Sequence, residues 1–264
     1  MANNFDFVPY IDCPEDALYT PPCNTDYVKR TVIYADGTLI INETLTNQEA
    51  NIAKHGEAVN VYEPLNDNGT NYVWTEEPHS LWHESWSIET SIKRVEIGSY
   101  ISPISTTYWF YNLRNCEKID LTNMDTSRVT EMKSMFRYVG YNTSTSKPMA
   151  VLDLSHFDTR AVTDMSNMFN HMVNTKVIDV SSWDTSAVTN MDYIFGYCNG
   201  TETIYASSSF VVPDQRKYGY FVDCFNLVGG NGTSFSSIGG SEAGYSTYAR
   251  IDNPPSNKGY FTRK

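Results

Sequence analysis

One phrase, written three times, constrains this chain more than any other feature. Asp120-Leu121-Thr122 runs on through Asp125-Thr126-Ser127 and Val129-Thr130-Glu131-Met132 to Met135-Phe136. Asp153-Leu154-Ser155 leads through Phe157-Asp158-Thr159 and Val162-Thr163-Asp164-Met165 to Met168-Phe169, and Asp179-Val180-Ser181 through Trp183-Asp184-Thr185 and Val188-Thr189-Asn190-Met191 to Ile194-Phe195. Asp153 and Asp179 stand 26 residues apart, as do Phe169, Phe195 and Phe221. The step from Asp120 to Asp153 is 33, the excess falling in the polar stretch 141–147. A fixed period of this size marks units that bury their apolar faces only against their neighbours.

Within a copy, Ile119/Leu121, Leu152/Leu154, Ile178/Val180 and Ile204/Ala206 alternate with polar residues, the period of a half-buried strand. The threonines at 130, 163 and 189 precede Met132/Met135/Phe136 and their equivalents, which reads as an N-cap and one helical turn with its apolar residues on one face. The expected fold class is therefore α/β: a short solenoid of the leucine-rich-repeat kind, with parallel strands on one side and short helical turns on the other. A β-rich N-terminal cap and an irregular C-terminal cap are expected to close it. The expected segments are an arm over 1–26, a capping region over 27–100 with a hairpin turning at Asp36-Gly37, about four coils over 101–230, and a C-terminal cap over 231–264.

The repeat phrase resembles that of the BspA-like leucine-rich-repeat surface proteins. Thr107-Tyr108-Trp109-Phe110-Tyr111-Asn112-Leu113 resembles the segment that opens such arrays, and Leu227-Val228-Gly229-Gly230-Asn231-Gly232-Thr233 and Gly259-Tyr260-Phe261-Thr262 resemble their C-terminal close. That family is largely one of secreted surface proteins, and the resemblance extends to bacteriophage structural proteins. Met1 to Phe7 has neither a basic n-region nor an apolar h-region, so no signal peptide is expected. The resemblance then implies a non-enzymatic virion subunit (a fibre, decoration or host-binding protein), with a bacterial cell-surface adhesin as the alternative. The implied partners are other virion proteins and a host surface protein or glycan. A homo-oligomer, a trimer, is expected, in the virion after synthesis in the bacterial cytoplasm.

Composition narrows the classes. A net charge of −12 without an extended basic cluster leaves nothing to neutralise phosphates, so nucleic acid is not an expected partner. No apolar run approaches ~20 residues, so no membrane insertion is expected. No nucleophile–base set or phosphate-binding glycine loop is visible, and neither an enzyme activity nor a cofactor is expected. His79 and His83 stand four apart, but no third or fourth ligand can be assigned and no metal is expected.

Two sets of candidate residues remain. If Leu121, Leu154 and Val180 point inward, Asp120, Asp153 and Asp179 stack outward at one strand spacing, with Tyr205 extending the row. Such a ladder either bonds to its own turns through Thr122, Ser155 and Ser181, the favoured reading, or is eased by a cation, a sugar hydroxyl array or a basic partner. The arm carries Phe5, Phe7, Tyr10, Cys13 and Cys23 as candidate attachment residues. Cys198 and Cys224, 26 apart, sit at equivalent sites of adjacent copies and read as buried thiols or as a bridge.

Overall fold

A computed structural model describes residues 29–44, 47–62, 90–142, 149, 152–213, 219–239, 241–253 and 255–264. The arm over 1–26, with Phe5, Phe7, Tyr10, Cys13 and Cys23, lies outside the described residues, as do His79, His83 and residues 143–148.

The chain runs β1 (Lys29–Tyr34), β2 (Thr38–Thr44), α1 (Gln48–His55), β3 (Ala58–Tyr62), β4 (Arg94–Ile97), β5 (Lys118–Asp120), β6 (Val177–Asp179), β7 (Thr203–Ala206), α2 (Phe235–Ile238) and β8 (Phe261–Arg263). The Asp36-Gly37 hairpin forms: Gly37 takes φ +86°, which a side chain would resist, and Asp36 Oδ1 accepts the Thr38 amide at 2.9 Å. The first sheet has the order β3-β1-β2-β4-β5, antiparallel among its first three strands and parallel from β2 onward. The second sheet, β6-β7-β8, is parallel.

These findings correct the expected fold class. The four coils do not share one parallel sheet. Strand geometry stops at β5 and resumes at β6, and the described part of the middle copy, Leu152–Leu154, forms no strand. The described residues of the repeats also contain no helical turn, and the only α-helices among the described residues are α1 and the four-residue α2. The array is therefore not a leucine-rich-repeat solenoid of strands and helices.

The reason lies in the backbone. Ser134 and Tyr138, Asn167 and His171, and Tyr193 and Tyr197 all have φ between +53° and +64°, a left-handed conformation that no α-helix tolerates. Each first member is the third residue of a β-turn: Met135 N–H donates to Met132 O at 3.3 Å, Met168 to Met165 at 3.2 Å and Ile194 to Met191 at 3.1 Å. The alternate N–H groups then point across to the next copy instead of back along a helix. Ser134, Phe136 and Tyr138 donate to the carbonyls of Ser166, Met168 and Asn170, and Asn167, Phe169 and His171 to those of Asp192, Ile194 and Gly196, at 2.7–3.0 Å. The backbone amides are thus satisfied alternately, by a turn within the copy and by a carbonyl of the next copy.

Packing follows the same axis. The rings of Phe110, Phe136, Phe169, Phe195 and Phe221 stack with centroids 5.4–5.8 Å apart and interplanar angles of 20° or less. All five are fully buried, and Met132, Met135, Met165, Met168 and Met191 fill the space beside them. The C-terminal segment is drawn in by Asp252, whose carboxylate accepts the amides of Asn231, Thr233 and Gly259 and the Thr233 hydroxyl.

Candidate functional site

The polar residues of the repeat phrase divide into those that hold the array together and those left on its surface. The outward aspartates belong to the first group. Asp120 Oδ1 accepts the amide and hydroxyl of Thr122 at 3.2 and 2.7 Å, Asp153 those of Ser155 at 3.0 and 2.7 Å, and Asp179 those of Ser181 at 3.0 and 2.6 Å. Each carboxylate closes a turn in the way the local reading expects. The Thr122 and Ser155 hydroxyls, more than anything else, hold Asp120 and Asp153 below the usual carboxylate range. At Asp179 burial pulls the other way, and the Lys264 ammonium and Ser181 outweigh it. Lys264 also lies 5.4 Å from the Tyr205 ring centroid, so the C-terminal end of this row already carries its own cation. The structure thus brings Asp179 and Tyr205 into register across β6 and β7, and commits both to contacts within the chain.

A second series of aspartates does the same work one turn later. Asp125 Oδ1 accepts the Ser127 amide, while Tyr100 and Ser102 donate to Oδ2; the Tyr100 hydroxyl leads in lowering its pKa to about 2. The buried threonines of the phrase form a ladder of their own. Thr126, Thr159 and Thr185 each accept an amide from the next copy and return the hydroxyl proton to a carbonyl of that copy, at Asp158, Asp184 and Val211. The threonines at 130, 163 and 189 are not N-caps. Their hydroxyls donate to Ile104, Thr130 and Thr163 carbonyls of the preceding copy, at 3.2–3.5 Å.

Cys198 and Cys224 are free buried thiols, donating to the Phe169 and Phe195 carbonyls at 2.9 and 3.0 Å. Burial pushes the Cys198 thiol up to about 12 and Cys224 well above its ordinary range. They are not bridged.

What the repeat leaves at the surface is a row of rings on the turn side. Tyr138, His171 and Tyr197, the second left-handed residues of three copies, pack ring to ring, Tyr138 and His171 tilted by 34° with centroids 4.5 Å apart and His171 and Tyr197 stacked at 4.4 Å. The guanidinium of Arg114 lies 5.0 Å from the Tyr138 centroid and 4.9 Å from that of Tyr141, and Arg137 lies 5.0 Å from Tyr138. Burial first, then Arg137 and Arg114, lowers the His171 pKa to about 4, so the ring is neutral at physiological pH. Beside the row a recess of about 380 Å³ is lined by Tyr141, His171, Val173, Asn174, Tyr197 and Asn199. The expected site residues did not include this row. Its signal was available in the sequence, because 138, 171 and 197 repeat the 33- and 26-residue steps of the phrase.

Residues 104–204 match the model of a family described as Mycoplasma protein of unknown function, DUF285. The match covers the three full copies of the phrase and agrees with their BspA-like resemblance; it carries no activity, ligand or location. No curated protein and no solved structure matches the chain. No helix among the described residues is long and apolar enough to cross a membrane.

Proposed function

We propose that this protein is a non-enzymatic structural and adhesion subunit of a bacteriophage virion that presents its repeat surface to a host glycan or surface protein. The observation that carries the binding part is the row Tyr138–His171–Tyr197 with its flanking arginines and amides. The rings spend their faces on one another and on the arginines, so the row offers a sugar its ring edges and hydroxyls, beside arginine and amide groups that meet the sugar's own hydroxyls. The phrase aspartates close turns within their own copies and the buried threonines tie copy to copy, so the array serves as a scaffold and the ring row as its presented surface.

Single contacts of this kind are weak, and a trimer would present three rows at once. In this reading the arm over 1–26, through Phe5, Phe7, Tyr10, Cys13 and Cys23, docks the subunit onto other virion proteins. The virion assignment rests on the resemblance of the repeats. The family description, which names a cellular organism, favours the second reading, a bacterial cell-surface adhesin.

Glycan microarrays probed with the purified full chain test the binding part. Selective binding that falls about tenfold or more in Tyr197→Ala, and is unchanged in Tyr193→Ala on the other left-handed position, is expected. No binding to any bacterial surface glycan, or equal loss in both variants, overturns the row as the recognition surface.

A further inference from the structure

A second recess, on the N-terminal sheet, is built differently. The β1–β2 register pairs Arg30 with Glu43 but Val32 with Ile40, so β2 carries one extra residue there. That bulge puts Glu43 on the outer face with Ile40 instead of the core face of Leu39 and Ile41. The Glu43 residue is 1% exposed; Tyr34 Oη and Asn51 Nδ2 both donate to its Oε1, and Oε2 is buried without a partner among the described residues. Along the same face the parallel register sets Ile40 against Glu96 and Glu96 against Asp120, so two carboxylates occupy facing positions where like charges repel. A recess of about 340 Å³ opens among Glu43, Asn47, Asn51, Glu96, Asp120 and Asn123.

The amides are already oriented. Asn51 donates one of its amide N–H groups to Glu43 and Asn123 one of its own to the Ile97 carbonyl at 2.8 Å, and each amide also carries an Oδ1 acceptor. Acceptors therefore outnumber donors around the recess. The basic groups at its edge are few: Lys54, exposed, reaches Glu96 at 3.3 Å, the buried His55 Nε2 lies 4.0 Å from the same carboxylate, and Lys118 stands 3.9 Å from Asp120. A bare metal ion fits poorly, because no group of three His, Cys, Asp or Glu among the described residues is placed to hold one. The recess is also many times the ~30 Å³ share of one water.

We propose that this recess binds a primary ammonium group on an alkyl stem, its three N–H donors divided among Glu96, Asp120 and the amide oxygens, above the Glu43 carboxyl. The Ile40 and Ile97 side of the lining takes the stem. The same chemistry is offered by a lysine side chain of a partner and by a free alkylamine.

The test is a titration of the isotope-labelled full chain followed by NMR, with n-butylammonium, Nα-acetyl-lysine amide, tetramethylammonium and Ca²⁺ as separate probes. The two primary amines are expected to shift the Asn51 and Asn123 side-chain amides saturably, and Glu96→Gln and Asp120→Asn each to weaken butylammonium about tenfold. Tighter binding of the lysine amide than of butylammonium identifies a peptide source, and equal binding a free amine; both support the proposal. No saturable shift with either amine, equal binding of tetramethylammonium, or a response to Ca²⁺ alone overturns it.

Discussion

Thr159→Val isolates the bond that most plainly ties one copy to the next. Thr159 is 1% exposed, and its hydroxyl donates to Asp184 O at 2.8 Å while accepting Asp184 N–H at 3.1 Å. Valine keeps the shape and β-branching but leaves both backbone groups of Asp184 without that partner. Each unpaired buried group costs about 1–3 kcal/mol, and the added methyl returns about 1 kcal/mol, so the net loss is about 1–5 kcal/mol. For a chain of this size that corresponds to a fall in Tm of roughly 2–20 °C. Urea unfolding reads the same loss as a lower midpoint with an unchanged slope. Thr163→Val is the control: its hydroxyl is exposed, makes one bond at 3.2 Å, and should cost under about 0.5 kcal/mol. If Thr159→Val falls within that same limit, the threonine ladder does not hold the copies together and the reasoning fails.

Ser134→Gly should stabilise by about 0.5–1 kcal/mol, since Ser134 has φ +53° and a buried hydroxyl without a partner among the described residues; a helical turn would lose about that much instead, so the sign of the change in thermal melting decides between them. His171 is held neutral in the fold with its pKa lowered to about 4, so its contribution is full above the unfolded value of ~6.5 and is lost as pH falls from there toward 4. An NMR titration should place its midpoint near 4, and a midpoint above 6 contradicts its burial within the ring row. Cys198 and Cys224, with thiols raised by burial, should resist a thiol reagent in the native protein and react after unfolding; rapid native labelling of either refutes the close packing around them.

The sequence disclosed periodicity better than conformation. Alternation at Ile119/Leu121 and Ile178/Val180 placed β5 and β6, the 26-residue spacing of the phenylalanines placed the ring stack, and Asp followed two residues later by Ser or Thr placed the turn-closing carboxylates. The helical turn was misread because Met132, Met135 and Phe136 sit at spacings that serve a helix and a run of β-turns equally. Glycine would have announced the left-handed residues, but the array puts Ser134, Tyr138 and Asn167 there, and among its described residues the left-handed glycines are only Gly140 and Gly219. The cost of those conformations is met by bonds to a neighbouring copy, which local propensity does not register. α1 was missed because its apolar residues are few, although Glu49 in its first turn and Lys54 and Gly56 at its end were legible signals. The bulge that turns Glu43 outward depends on pairing with β1, so nothing in the local sequence marks it.

If this chain is a virion subunit, as proposed, quantitative mass spectrometry of purified phage particles, run beside envelope and cytosolic fractions of the producing cells, will recover it with the particles at a fixed stoichiometry to the other virion proteins. Recovery only in the envelope fraction would contradict a virion role and leave the bacterial adhesin standing.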